Sequence, residues 1–197
     1  MEIIILLALI FVNGLFVMSE IALVSARKGR LESQAEKGDA AARKALELSN
    51  NPEIFLAAAQ IGITFIAIMT GVYSGERFAH HLEPFFLNIP FLAPYASGIS
   101  TTLIVIIVTF LSILLGELLP KRIGLLRAEK IAKLAAGPMN GFAWITHPFV
   151  WILNKISDLF FRVFNIKRVK EDAVTEEEIK TMITEGTEAG TIDEAEQ

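Results

Sequence analysis

Apolar residues in this chain fall in long runs, not in the alternation of a half-buried strand or the narrow stripe of a surface helix. Residues 3–26 form the first run, interrupted at Ser19-Glu20, and residues 54–73 form a second that carries no charge. A third runs from 96 to 119 after a loop holding Pro90 and Pro94, and a weaker fourth, 134–154, contains Gly137-Pro138, Gly141 and His147-Pro148. Each reaches the roughly 20 residues that a membrane-spanning helix needs. Between the first two lies an alanine-rich, charged stretch, 29–50, that predicts one helix outside the bilayer, with Asn51-Pro52 as the turn into the second span.

Basic residues decide how many runs cross. Arg27, Lys28, Arg30, Lys37, Arg43 and Lys44 follow the first run, Arg77 alone follows the second, and Lys121, Arg122, Arg127, Lys130 and Lys133 follow the third. Arg162, Lys167, Arg168 and Lys170 follow the fourth. Three crossings with the N-terminus outside and the C-terminus cytoplasmic place every rich cluster on one side. A fourth crossing would put the last cluster outside. The stretch 134–164 is therefore expected to be a re-entrant or interfacial helical hairpin. Its aromatic residues, Trp144 and Trp151 among them, suit contact with membrane lipids at the headgroup level. The fold class is an all-α membrane protein: three transmembrane helices (about 3–26, 54–75 and 96–119), the juxtamembrane hairpin and a cytosolic belt helix.

Composition agrees with this reading: 53% of residues are hydrophobic and the mean hydropathy is +0.51. The net charge of −4 hides a segregation, since residues 171–197 hold ten acids against one lysine and the first 170 hold 17 basic residues against 12 acids. The transmembrane domain is expected over 1–165 and an acidic linker over 166–197, with a capping box at Thr175 ahead of a short helix bearing Ile179, Met182 and Ile183. Cysteine is absent, which removes disulfides, thiolate metal sites and cysteine nucleophiles. Glu2 stands where a secretory signal has basic residues, so the first run is kept as a mature helix.

Ionisable residues inside a bilayer are costly, which makes Glu20 and Glu117 functional candidates. Proline has no N–H for the carbonyl four residues earlier, so Pro120, expected as a helix break, frees the carbonyl of Gly116 beside Glu117. A carboxylate and a free carbonyl suit a hard cation. Ser19 adjoins Glu20, Ser112 precedes Glu117, and Gln60 and Thr64 share a face of the middle helix at i, i+4. Oxygen donors with neither sulfur nor imidazole favour Mg2+ or Na+ over zinc or copper. Plainer readings stand beside this one. Glu117 has Lys121 at i+4 as a partner, Glu20 has interfacial water or Arg27, and the hydroxyl residues have helix packing. His80 and His81 read as a solvated pair.

No Gly-x-Ser-x-Gly, P-loop, Gly-x-Gly-x-x-Gly or His-Glu-x-x-His pattern occurs, so no enzyme is expected. Nor is a nucleic-acid binder, since the basic residues sit where topology requires them.

Three motifs carry a resemblance. Asn13-Gly14-Leu15-Phe16-Val17-Met18-Ser19-Glu20-Ile21-Ala22-Leu23, Gln60-Ile61-Gly62-Ile63-Thr64 and Gly116-Glu117-Leu118-Leu119-Pro120-Lys121 together resemble the DUF21 transmembrane domain of the CorC/CNNM (cyclin M) magnesium transporters. The tail from Thr175 to Gly190 is similar to that family's lead-in to paired CBS domains. The resemblance implies a homodimer in the inner (plasma) membrane and Mg2+ export coupled to Na+ uptake. It also implies a cation site near Ser19 and the Gly116/Glu117 turn. Many relatives carry Ile-Gly-Asn-Asn where this chain has Ile61-Gly62-Ile63-Thr64, so an asparagine ligand does not carry over, and Thr64 or Gln60 stands in. The chain is expected to stop before the nucleotide-binding CBS pair, so ATP is not an expected partner. Two alternatives to a secondary transporter stay open: a membrane-embedded Mg2+ sensor or scaffold that regulates another transporter, and a Mg2+ channel.

Overall fold

A computed structural model gives the structure of residues 1–164, the Glu76 side chain excepted. The described residues form helices and no strand. In chain order these are α1 (Glu2–Ser25), α2 (Lys28–Glu36), α3 (Ala40–Asn50), α4 (Pro52–Leu87), α5 (Ala96–Ile113), a π-helical turn (Leu114–Leu118), α6 (Leu119–Leu126) and α7 (Ala128–Val163). A short 3-10 turn, Ala93–Tyr95, leads into α5. Among the described residues three segments are long and apolar enough to cross a membrane: Glu2–Ser25, Pro52–Leu87 and Ala93–Leu126. These are the three expected spans. The second is longer than expected, because α4 continues through Pro84 to Leu87. The linker expected over 166–197, with its capping box, lies outside the described residues.

The chain forms two compact units, residues 1–153 and 154–197. Of the second, the described part is the end of α7, where the Phe160 and Phe164 rings meet with centroids 4.4 Å apart.

Two apolar clusters hold the first unit together. One gathers Leu6 and Ile10 of α1 with Ile104 and Val108 of α5, with Phe78 and Leu82 of α4 packed against them. The other lies at the basic end, where Leu23, Leu31, Ala45, Phe55, Ala132 and Met139 bring α1, α2, α3, α4 and α7 together. Leu31 and Phe55 are fully buried there; removing such a side chain from water is worth about 1.5–3 kcal/mol. Ser49 donates to the Leu23 carbonyl at 3.2 Å and so satisfies one of the acceptors that the end of α1 leaves open.

Two sequence expectations are corrected. The belt is a pair of helices, not one helix over 29–50. Gly38 takes φ +93, the N–H of Gly38 reaches the Ala35 carbonyl at 3.0 Å, and that of Asp39 reaches Gln34 at 3.1 Å. These two bonds close a Schellman motif that ends α2. Asp39 then caps α3 by accepting from the N–H groups of Ala41 and Ala42. The second correction concerns 134–164, which is not a hairpin but part of the single helix α7, with Pro138 and Pro148 inside it. Ala132, Ala136, Met139, Ala143, Thr146 and Val150 are all buried at a spacing of four and three residues. This unbroken helical face outweighs the hydrogen bonds the prolines forgo.

Candidate cation site

Pro120 does not break the third span. The chain stays helical through it, and the irregularity lies one turn earlier, as the π-helical turn Leu114–Leu118. Single π turns within helices accommodate a lost hydrogen bond and recur at functional sites. Pro120 has no N–H to offer Gly116, but the carbonyl expected to be free is not left free. The Gly116 carbonyl accepts instead from Asn13 Nδ2 of α1, at 3.2 Å.

That bond depends on two helices lying close together. A Cβ on Gly14 would stand 2.9 Å from Pro120 Cγ and 3.2 Å from the Leu115 carbonyl oxygen. One on Gly116 would stand 3.3 Å from Asn13 Nδ2, and one on Gly124 would collide with Ile21 Cγ2. Glycine at these positions lets α1 run against the π turn and α6 almost backbone to backbone.

Beside this seam, α1, α4 and α5 enclose a cavity of about 300 Å³. Its polar lining is Asn13, Thr70, Thr109, Ser112, Gly116 and Glu117, and its apolar walls include Ile10, Ile63 and Val108. The Asn13 Oδ1 atom is buried, and among the described residues nothing donates a hydrogen bond to it. An amide oxygen left unpaired in a low-dielectric site costs on the order of 1–3 kcal/mol. Glu117 is half exposed, and its Oε1 accepts from Lys121 Nζ at 2.6 Å. Thr70 is buried and donates to the Ile66 carbonyl at 2.8 Å, which leaves its lone pairs available toward the cavity.

Three of the sequence candidates, Ser112, Gly116 and Glu117, are thus brought together. Four are not among this lining. Ser19 donates to the Leu15 carbonyl of its own helix at 2.6 Å. Gln60 and Thr64 are exposed on α4 and bond to each other at 3.4 Å. Glu20 is partly buried on α1 and lies within electrostatic reach of Lys121, which places it at the depth of Glu117 without joining the cavity. Sequence reasoning missed Asn13, Thr70 and Thr109 as lining residues. Asn13 had a signal, as a polar residue deep in an apolar run. Among the described residues no three His, Cys, Asp or Glu side chains converge. A cation held here would be met by one carboxylate with hydroxyl, amide and carbonyl oxygens.

Residues 4–196 match the cyclin M transmembrane N-terminal domain. Among curated proteins, the chain is 46% identical over 197 residues to UPF0053 protein sll0260 of Synechocystis sp., covering 100% of this chain and 44% of the relative. It is 34% identical over 187 residues to the polyamine export protein of Haemophilus influenzae, covering 95% of this chain and 43% of the relative. It is 32% identical over 198 residues to UPF0053 protein YugS of Bacillus subtilis, covering 100% of this chain and 46% of the relative. The chain therefore spans less than half the length of each. With three apolar helices of spanning length and a match over almost every residue, the chain belongs to the cyclin M transmembrane N-terminal domain family.

Proposed function

We propose that this chain is the membrane part of a cation exporter whose cargo is Mg2+, moved outward against Na+ uptake. The observation that carries the reading is the buried, donor-less Asn13 Oδ1 beside the Gly116 turn and Glu117. A cation supplies what that oxygen lacks. Glu117 gives the charge, and Asn13, Ser112 and Thr70 give neutral oxygens. Because Mg2+ dehydrates reluctantly and keeps several waters, a cavity with a single carboxylate suits a partly hydrated ion. Ser19 and Glu20 then border the path on α1, and Gln60 and Thr64 border it on α4, on the stripe that continues to the cavity-lining Ala67 and Gly71. The protein works as a homodimer in the inner membrane with its N-terminus outside. The basic belt and α7 lie on the cytoplasmic side, and no chemistry on the cargo is required.

A second reading has a specific observation in its favour. A relative 34% identical over nearly the whole chain is named a polyamine export protein, and the cavity joins its one carboxylate to apolar walls from Ile10, Ile63, Ala67 and Val108. An alkylamine uses both features. Flux through proteoliposomes separates the two. Mg2+ export that is driven by a Na+ gradient and indifferent to spermidine supports the first reading. Spermidine transport that Mg2+ does not inhibit supports the second. No flux of either cation, with Mg2+ binding retained, favours a membrane-embedded sensor.

A further inference from the structure

A second cavity of about 580 Å³ opens between α1 and the π turn with α6, and Ile10 of α1 lines both it and the first. Gly14 and Pro120 make its floor, and Phe11, Leu15, Leu119 and Ile123 are among its walls. Among the described residues no polar side chain lines it. Its walls are open to the surroundings, Phe11 being 66% exposed, so in a membrane the groove faces lipid.

The basic end of the groove is not apolar. Along the π turn and α6 the wall positions Leu115, Leu119 and Ile123 continue at helical spacing to Arg122 and Leu126, and Arg127 follows at the helix end. Arg122 and Arg127 are both exposed, and among the described residues neither pairs with a carboxylate, whereas the neighbouring Lys121 is committed to Glu117. A long arginine at this depth extends its guanidinium toward the headgroup layer.

We infer that this groove is a binding site for an anionic glycerophospholipid. One acyl chain lies between Phe11, Leu15 and Leu119, and the phosphate is held by Arg122 with Arg127. Guanidinium forks match phosphate oxygens in geometry and charge. Charge also argues against a second copy as the occupant. Two chains sharing a membrane orientation and related by a two-fold axis through the groove would bring Arg122 and Arg127 of both to the same depth, and among the described residues no carboxylate pairs with either.

The test is lipid retention by the purified 197-residue chain, measured by native mass spectrometry after equilibration with phosphatidylglycerol or phosphatidylcholine. The expected result is selective retention of phosphatidylglycerol, lowered about fivefold in Arg122→Gln, the share of one basic side chain near an anionic surface. Leu15→Trp fills the groove and lowers retention of both lipids. Arg43→Gln, a surface cation on α3, changes neither. The unaltered chain gives an independent reading, since phosphatidylglycerol raises its melting temperature more than phosphatidylcholine does. Equal retention and equal protection by the two lipids overturn the proposal, as does a loss in Arg43→Gln matching that in Arg122→Gln. A copy-to-copy disulfide in Phe11→Cys, formed in a chain with no other cysteine, also overturns it by placing a second copy in the groove.

Discussion

Lys121 Nζ lies 2.6 Å from Glu117 Oε1, one helical turn along, so the carboxylate at the candidate cation site already holds a cation of the protein's own. Any cargo that binds Glu117 has to displace the ammonium or share the carboxylate with it. Both side chains are close to half exposed, which limits the pair to about 0–1 kcal/mol. Lys121→Gln is therefore expected to tighten Mg2+ binding by up to roughly fivefold. Mg2+-dependent thermal protection of the purified chain reads this directly. Weaker binding in Lys121→Gln would show that the lysine supports the site instead of competing for it.

Asn13→Ala removes both the bond to the Gly116 carbonyl and the unpaired amide oxygen. Loss of one oxygen facing a charged cargo is worth about 1.5–3 kcal/mol. Mg2+ protection is expected to shift to at least roughly tenfold higher concentration. Asn13→Asp, which keeps the oxygens and adds charge, is expected to bind Mg2+ at least as well as the unaltered chain.

The close seam between α1 and α6 predicts opposite outcomes for two glycines. A methyl on Gly124 collides with Ile21 Cγ2 and meets the Met18 carbonyl oxygen at 2.9 Å. Gly124→Ala is expected to destabilise by about 1–3 kcal/mol. A methyl on Gly141 of α7 meets nothing within 4 Å, so Gly141→Ala is expected to stabilise by about 0.5–1 kcal/mol through helix propensity. Thermal unfolding in one detergent measures both. Equal effects would mean that α1 and α6 do not pack this closely.

Asp39 ties the belt to α7. It accepts from Lys133 Nζ at 2.9 Å while capping α3. The Lys133 hydrogen bond first, and the Ala42 and Ala41 N–H groups with it, hold the carboxyl below the usual aspartate range. A carboxyl with a depressed folded-state pKa contributes stability above its unfolded value of about 3.9. That contribution is lost as pH falls through the folded value. Asp39→Asn is expected to lower stability at neutral pH and to flatten the loss below about pH 4. Melting curves between neutral pH and pH 3 decide this; an unchanged acid limb would remove Asp39 from the account.

What could be read from the sequence follows how local each cause is. Hydrophobic run length located the three spanning helices, and Pro120 marked Gly116, because a missing N–H acts four residues away on the same helix. The partner that takes up the Gly116 carbonyl lies 103 residues earlier, and only the packing of Gly14 and Gly124 brings it there. The break at Gly38-Asp39 was legible, since glycine ending one helix and aspartate capping the next is a local signal; the charged run 29–50 obscured it. The continuity of α7 was not legible from its prolines alone. It depends on a buried face, Ala132 to Val150, whose partners lie on other helices. Gln60 and Thr64 share a helical stripe with Ala67 and Gly71, and only the latter two are in the cavity's lining, because the cavity sits further along α4, a depth that appears only in three dimensions.

The most direct test of a cation path through Glu117 is Na+-driven Mg2+ export from proteoliposomes by the unaltered chain and by Glu117→Gln, which keeps the shape and removes the charge. Flux in the unaltered chain, and its loss together with Mg2+ protection in a folded Glu117→Gln, is the predicted result. Equal flux and equal protection in the two proteins would contradict the account.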